Sequence, residues 1–424
     1  MPNLLLLLVQ IGVVLIAARA VGALFRRFHQ PQVVGEMVAG ILLGPSLLGW
    51  AAPAISAQLF PPASLGFLNS ISQVGLLIFM FLVGVEMDPR LLRGKSHTAL
   101  VTSHASIIAP FFLGALLSLF LYPRLSDDSV TFTGFALFMG AAMSVTAFPV
   151  LARILSERNL MKTRVGTVAI ACAAVDDVTA WSILAGVVAL VRSNDGGLPL
   201  WVTLAGSAAF VAVMLFLVRP VLARLEGAFN RRGALTQDML AVMLLMGLAS
   251  AWTTEYLGIH ALFGAFLAGA ILPKGERFVH ALTEKLHDLT VVLLLPLFFA
   301  FTGLRTAFGL VEGAEMWAYA AVIILVAVAG KWGGSTLAAR FSGMSWREAG
   351  AVGVLMNTRG LMELVILNIG LDIGVISPAL FAMMVLMALV TTFMTSPLLE
   401  WIYPARLIRE ETAAPAEERV HAVA

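Results

Sequence analysis

The sequence contains a single cysteine, Cys172, and few charged residues, which make up 12% of its 424 positions. A lone cysteine excludes an internal disulfide and a thiolate metal site, because each needs more than one thiol. Lys and Arg number 27 against 25 Asp and Glu, so no basic surface for a nucleic acid is expected. The sequence also lacks a phosphate-binding loop, a metal-ligand cluster and a serine nucleophile motif, so we expect a protein without cofactor that is not an enzyme.

Apolar residues are abundant, at 60% of the chain, and the mean hydropathy is +0.94. Both values lie far from those of a soluble globular protein. About 20 apolar residues suffice to cross a bilayer as a helix, and we count thirteen such segments. They lie at 4–25, 33–50, 65–87, 98–122, 131–156, 163–191, 199–223, 235–256, 258–273, 283–304, 316–340, 346–370 and 375–401. The sequence predicts an all-α, multi-pass integral membrane protein.

Positive charge is concentrated in one alternate set of loops. This set comprises Arg26, Arg27, Arg90, Arg93, Lys95, Arg158, Lys162, Arg164, Arg224, Arg231, Arg232, Lys274, Arg277, Arg340, Arg347, Arg406 and Arg409. The opposite set has only Arg124, Arg192 and Arg305. Because Lys and Arg accumulate on the cytoplasmic side, we predict an external N-terminus and a short cytoplasmic tail at 406–424. The expected location is a bacterial-type inner or plasma membrane.

Two adjacent carboxylates, Asp176 and Asp177, interrupt the apolar stretch 165–191. A carboxylate at the bilayer centre costs at least ~2.5 kcal/mol, so two in succession indicate a site that handles a cation or a proton. Neighbouring helical residues project about 100° apart, so the two side chains are expected to face different directions.

A weak internal repeat shows where other parts of this site are expected. The sequence GEMVAGILLG (35–44) resembles GAFLAGAILP (264–273), and seven crossings separate the two copies. An odd number of crossings gives the copies opposite orientations, as in inverted-repeat transporters whose sites form at the midplane from broken helices.

Under this pairing, segments 131–156 and 346–370 correspond, and each has a polar interruption. The interruptions contain Ser144, Thr146 and Pro149 in the first, and Asn357, Thr358 and Arg359 in the second. Proline removes a backbone donor and the glycine after Arg359 weakens a helix, so both segments are candidate broken helices. Unwound backbone and half-helix ends carry partial charges that bind ions.

Three further charges lie at membrane depth. Lys331 in segment 316–340 is expected to pair with one of the two aspartates, because a buried ammonium needs an opposite charge. Arg359 and Glu363 lie one helical turn apart and are predicted to form a structural ion pair.

Five ordered motifs carry a resemblance that covers nearly the whole chain. They are QPQVVGEMVAGILLGPS (30–46), FMFLVGVEMD (79–88), SVTAFPVLARIL (144–155), LLPLFFAFTGLR (294–305) and MNTRGLMELVILNIG (356–370). They resemble the monovalent cation:proton antiporters of the second cation:proton antiporter superfamily. The likeness is greatest to the membrane domain of plant cation/proton exchangers and extends, more distantly, to Kef potassium efflux systems.

The resemblance implies a thirteen-helix homodimer in which a mobile core moves against a scaffold. The implied scaffold is 1–90 and 235–306, the core 97–192 and 315–401, and the linker helix 199–223, all within a transport domain at 1–405.

By position, Asp177 matches the family's ion-binding aspartate, the ligand of an alkali cation, and Lys331 matches its basic residue. Plant exchangers commonly have Asn where this chain has Asp176, and two aspartates resemble electrogenic sodium/proton members instead.

The expected function is therefore the exchange of a monovalent cation, K⁺ or Na⁺, for protons by alternating access. The choice of cation and the electrogenic or electroneutral stoichiometry stay open. A cation-coupled carrier of a small organic solute is the main alternative, because it shares the inverted-repeat architecture. A cation channel is a second alternative, although a channel needs a continuous polar lining and the sequence has few polar residues outside the two interruptions.

Overall fold

The computed structural model describes residues 4–28, 30–87, 97–127, 130–158, 160–161, 163–194, 198–404 and 406–407. Most of the predicted tail, 406–424, lies outside these residues. So do five of the loop cations that predict orientation, namely Arg90, Arg93, Lys95, Lys162 and Arg409.

Every regular element of the described chain is helical. The first elements are α1 (Leu4–Arg27), α2 (Gln32–Leu43), α3 (Leu48–Ala51), α4 (Pro53–Leu59), α5 (Pro62–Glu86), α6 (His97–Leu125), α7 (Phe132–Ser144), α8 (Phe148–Glu157) and α9 (Arg164–Asn194). Then α10 (Leu200–Val213) runs through a π-helical turn (Met214–Val218) into α11 (Arg219–Arg232), before α12 (Gln237–Tyr256) and α13 (Ala261–Ala270). A second π-helical turn (Thr290–Leu294) joins α14 (Glu276–Leu289) to α15 (Leu295–Leu304), and a third (Ala329–Gly333) joins α16 (Gly313–Val328) to α17 (Gly334–Phe341). The chain ends with α18 (Trp346–Met356), α19 (Leu361–Asp372) and α20 (Pro378–Ile402).

Ten helices of the described residues are long and apolar enough to cross a membrane, and the bent pair α18 and α19 gives an eleventh. Each of the thirteen predicted segments overlaps a helix, so the all-α membrane architecture is confirmed. Two segments contain shorter apolar helices, α7 and α13. Helix α7 stops at the first polar interruption, and α13 has only 10 residues.

The packing of the helices follows the predicted repeat. Helix α2 packs on α1 and α15, and its counterpart α13 packs on α12 and α5. In the same way α6 packs on α7 and α9, while α17 packs on α18 and α16 packs on α20. Each of these contacts of α2 and α6 therefore has a counterpart under the repeat.

Glycines at equivalent positions of the repeat make the closest of these contacts. A Cβ added to Gly303 of α15 would fall on the backbone of Gly40 in α2, and one on Gly269 of α13 would fall on the backbone of Phe81 in α5. Gly40 and Gly269 are the sixth residues of the two repeated sequences. Small residues let helix backbones approach closely in membranes, which explains why the weak sequence repeat is made of them.

We expect Gly303→Ala to lower stability by about 1–3 kcal/mol, because the added methyl group forces α2 and α15 apart. The measurement is the thermal unfolding midpoint in detergent. Gly12→Ala is the matched control, since nothing lies within 4 Å of a Cβ at that position. Equal midpoints for the two variants would contradict the close packing.

Helix α19 is deeply buried. All residues from 361 to 370 are buried, including a carboxylate and an amide. A helix that is apolar on most sides is stable when protein surrounds it, and here α20, α7 and neighbouring elements cover it. In the described chain this places the second polar interruption, which directly precedes α19, deep inside the protein.

Candidate functional site

Asp176 and Lys331 form a fully buried ion pair between α9 and the π-helical turn of residues 329–333. The Lys331 Nζ lies 2.9 Å from Asp176 Oδ2, and neither side chain is exposed. Lys331 also donates to the backbone oxygens of Ser106 at 2.9 Å and Ser144 at 2.5 Å. The ammonium therefore has three oxygen partners, as a buried cation requires.

Three hydroxyl groups surround the Asp176 carboxylate. Ser103 donates to Oδ1 at 2.9 Å, and Ser106 and Thr146 donate to Oδ2 at 2.5 and 2.8 Å. With the lysine, this carboxylate accepts four charge-assisted or hydroxyl hydrogen bonds. The sequence reasoning missed both serines. Their spacing of three residues in α6 puts them on one helix face and was the available signal.

Asp177 has the opposite environment. Its side chain is only 3% exposed, yet its Oδ1 has no hydrogen-bond partner in the described structure. The buried Asn357 Oδ1 and Thr358 Oγ1 in the second interruption also lack partners. Buried polar atoms are nearly always satisfied in native proteins, so these oxygens are available to a ligand.

Both predicted interruptions break their helices. The first break lies at 145–147 between α7 and α8, and the second at 357–360 between α18 and α19, whose axes are bent by 43°. The backbone N–H of Ala147 donates to the Thr358 carbonyl at 3.0 Å, so the two breaks meet. A Cβ on Gly360 would lie 2.8 Å from a methyl group of Val150. The small residue permits this close approach.

The end of α7 at this crossing is neutralised by positive charge. Arg359 donates to the carbonyls of Ala142 at 3.0 Å and Met143 at 2.7 Å, and Lys331 donates to that of Ser144. These carbonyls carry the negative end of the helix dipole, which cations stabilise. Two buried cations therefore hold the C-terminal end of α7 beside Asp176.

Arg359 and Glu363 are in contact at 2.8 Å, and neither side chain is exposed. Their contact leaves Arg359 Nε and Glu363 Oε1 without hydrogen-bond partners. Thr392 of α20 fixes the backbone beside them, since it accepts from the Arg359 N–H at 3.0 Å and donates to the Arg359 carbonyl at 2.5 Å.

The remaining predicted site residues have the following positions. The Ser144 hydroxyl lies within hydrogen-bond distance of the Ile107 and Gly140 carbonyls, so only its backbone oxygen reaches Lys331. Pro149 lies in the first turn of α8, directly after the break, and its side chain is outside the described part. No group of three or more His, Cys, Asp or Glu side chains suited to a metal ion occurs among the residues described.

Comparison with known proteins assigns the chain to a family. The model of the family described as "Sodium/hydrogen exchanger, transmembrane" matches residues 13–401. The chain belongs to this sodium/hydrogen exchanger family. In fold it is similar to the sodium proton antiporter MjNhaP1 of Methanocaldococcus jannaschii, with a TM-score of 0.66 at 16% identity, over 96% of this chain and 99% of that chain.

Relatives of this exchanger include curated bacterial, plant and yeast proteins. The Na⁺/H⁺ antiporter NhaS4 of Synechocystis is 46% identical over 95% of this chain and 98% of its own length. Cation/H⁺ antiporter 17 of Arabidopsis thaliana is 43% identical over 94% of this chain, and K⁺/H⁺ antiporter 1 of Saccharomyces cerevisiae is 34% identical over 98% of it. This exchanger spans about half the length of the plant and yeast relatives, 48% and 49%.

Proposed function

We propose that this protein is a secondary antiporter that exchanges a monovalent cation, Na⁺ or K⁺, for protons across a membrane. The observation that carries the proposal is the contrast between two adjacent carboxylates at the crossing of two broken helices. Asp176 is saturated by three hydroxyl groups and Lys331, whereas Asp177 keeps a buried oxygen without a partner. A buried carboxylate with an open position suits a ligand that arrives and leaves.

The ligand competition follows from desolvation. An uncompensated charge at this depth is unfavourable. Binding of either a proton or a bare cation to Asp177 therefore lowers the free energy of the site. The protein then changes conformation when the site is loaded and rarely when it is charged and empty. Such a carboxylate exchanges one ligand for the other, and neither ligand crosses the membrane without the exchange.

Oxygen atoms near the break supply further ligands for a dehydrated cation. Asn357 Oδ1 and Thr358 Oγ1 are buried and lack partners in the described structure. Alkali cations in membrane proteins are held by such uncharged oxygens together with carboxylates. Relatives named as Na⁺/H⁺ and K⁺/H⁺ antiporters support both cations as candidates.

The conformational change that we propose is alternating access. A core at 97–192 and 315–401 carries both breaks and all five charges of the site, and moves against a scaffold at 1–90 and 235–306, with 199–223 as linker. The transport domain then spans 1–405, and the protein is a homodimer with its N-terminus outside and its C-terminus in the cytoplasm of a cell with a bacterial-type inner or plasma membrane. The excess of Lys and Arg in one set of loops supports this orientation.

The test is proton movement into proteoliposomes followed with a pH-sensitive dye, one cation at a time, with the membrane potential clamped. We expect proton movement with Na⁺ or K⁺ alone. Proton movement that requires an added organic solute would favour the carrier alternative. Cation flux without any proton movement would favour a channel, and either result would overturn the proposal.

We propose Asp176 as the residue that sets the stoichiometry. If Asp176 releases Lys331 to take up a proton of its own, two protons exchange for one cation and one net charge moves per cycle. At 100 mV this charge is worth ~2.3 kcal/mol, which sustains a roughly fiftyfold cation gradient.

Asp176→Asn is therefore expected to retain cation-dependent proton movement but to lose its dependence on membrane potential, because the second proton site is gone. The measurement is the initial rate at several potassium-diffusion potentials. Ser103→Ala is the control, since it removes one hydrogen bond from Asp176 without removing the carboxylate. Unchanged potential dependence in Asp176→Asn would contradict the electrogenic cycle.

A further inference from the structure

A second group of charged residues lies at the helix ends far from the aspartates. Its members, which we call the ion-pair cluster, are Arg192, Glu255, His260, Arg305 and Asp372. Arg192 contacts Glu255 at 3.0 Å, and Arg305 contacts Asp372 at 2.7 Å. All four side chains of these pairs are partly exposed, between 22% and 45%. The charged groups of the cluster are therefore accessible from outside the protein.

Both ion pairs join the proposed core to the proposed scaffold. Arg192 lies in the last turn of α9 in the core and contacts α12 of the scaffold. Arg305 follows α15 of the scaffold and contacts α19 of the core. Arg305 also donates to Asn368 at 3.1 Å, which in turn donates to Thr302 at 2.9 Å. Arg192 and Arg305 are two of the three cations on the predicted outer loops, so this face holds the two moving parts together.

The two ion pairs described on the opposite face have a different arrangement. Arg158 contacts Glu400 at 3.2 Å, and Arg164 contacts Glu348 at 3.9 Å. Each of these pairs joins two elements of the proposed core. They therefore need not break when the core moves against the scaffold, whereas both pairs of the cluster must break when the outer face opens.

His260 lies near members of both ion pairs of the cluster. It is the N-cap of α13, where its Nδ1 accepts from the Leu262 N–H at 3.5 Å. It interacts electrostatically with Glu255, Arg192 and Asp372, and thus with members of both pairs. Glu255 also accepts from the Ala261 N–H at 2.8 Å, so the same helix end holds both side chains.

We propose that the ion-pair cluster is a second, regulatory proton-binding site, in which a proton on His260 releases the two ion pairs and opens the outer face. The ligand is a proton taken from the aqueous phase on that side. This inference rests on the proposed alternating-access function, because it assigns the contacts that close one face.

The direction of the proton effect follows from the surroundings of His260. Burial lowers the pKa of His260 below its ordinary value; the carboxylates of Glu255 and Asp372 act in the opposite direction, and Arg192 acts with burial. A pKa lowered in the closed state means that the closed state is stable at higher pH and loses stability as pH falls. A protonated imidazole also has no acceptor, so the cap on α13 is lost. Acidification on this side therefore favours opening.

Cross-linking tests the gate directly. In a Cys172→Ala background, which has no native cysteine, Arg305→Cys and Asp372→Cys are joined by a reducible bifunctional thiol reagent. We expect transport to fall to background and to return after reduction. Arg158→Cys with Glu400→Cys is the matched control, whose cross-link leaves transport intact because both residues belong to the core. Normal transport through the cross-linked outer pair would overturn the gate.

Labelling of a buried position tests whether protonation opens the outer face. Thr302 is 2% exposed behind Arg305, so a membrane-impermeant maleimide reaches Thr302→Cys only when the outer face opens. Its labelling rate is divided by that of Leu310→Cys, an exposed control that corrects for thiol reactivity. From about pH 8 to about pH 6, we expect this ratio to rise severalfold, and to stay constant after His260→Gln.

Two results separate this inference from the proposed function. In the first, the unmodified protein moves protons with a cation, but the labelling ratio does not change with pH or changes equally in His260→Gln. The regulatory site is then refuted, and the proposed antiport is unaffected. If the unmodified protein shows no cation-dependent proton movement, the proposed function fails and the inference falls with it.

Discussion

Asp177→Asn is expected to abolish cation-dependent proton movement in proteoliposomes. An amide has nearly the shape of the carboxylate, but it neither binds a proton in the working pH range nor offers a charge to a cation. The buried Oδ1 without a partner is the atom at which both ligands compete. The loss should therefore be complete to the limit of detection, with the protein still folded and inserted.

The control for this variant is Asp238→Asn, the same chemical change in the exposed first turn of α12. Its transport should equal that of the unmodified protein. If Asp177→Asn exchanged protons for cations at a normal rate, the ligand site would have to lie elsewhere, and the assignment of Asp177 would be wrong.

Glu363→Leu is expected to lower the stability of the protein by about 3–5 kcal/mol, because it leaves the buried guanidinium of Arg359 without its opposite charge. The double variant Arg359→Met with Glu363→Leu should be more stable than Glu363→Leu alone. It still costs about 1–3 kcal/mol, because the Ala142 and Met143 carbonyls lose their donor.

Thermal unfolding in detergent, followed by the fluorescence of the eight tryptophans, measures this coupling. The informative quantity is the non-additivity of the two replacements, since residues in direct contact couple strongly. A double variant that is less stable than Glu363→Leu would mean that Arg359 acts chiefly as a cap for α7 and not as a partner of Glu363.

The class of protein and its spans could be predicted from the sequence, because burial in lipid demands apolar segments of fixed length whatever the packing. The prediction of thirteen segments exceeds the ten or eleven helices of spanning length, since α7 and α13 are shorter. Local hydropathy does not reveal where a helix stops inside an apolar segment. Backbone breaks at 145–147 and 357–360 decide this for the interrupted segments.

The sequence also identified the charges of the candidate site, because a charged residue in an apolar segment is conspicuous without any structure. It did not reveal which aspartate Lys331 contacts, since adjacent helical residues face about 100° apart and either could point to the lysine. It likewise did not reveal that Ser103 and Ser106 complete the surroundings of Asp176. A serine in an apolar helix often bonds to its own backbone, as Ser118 does here.

The sequence by itself determined that the protein is helical, embedded in lipid and built from two related halves with a pair of adjacent carboxylates, because hydropathy and the cost of buried charge act on every chain alike. Tertiary structure decided which of these carboxylates is surrounded by hydrogen-bond donors and which keeps an oxygen without a partner. The packing of α6 and the Lys331 turn against one side of α9 surrounds Asp176 with donors, and the same packing leaves an oxygen of Asp177 free. Only the arrangement of separate helices in space brings those donors to one side.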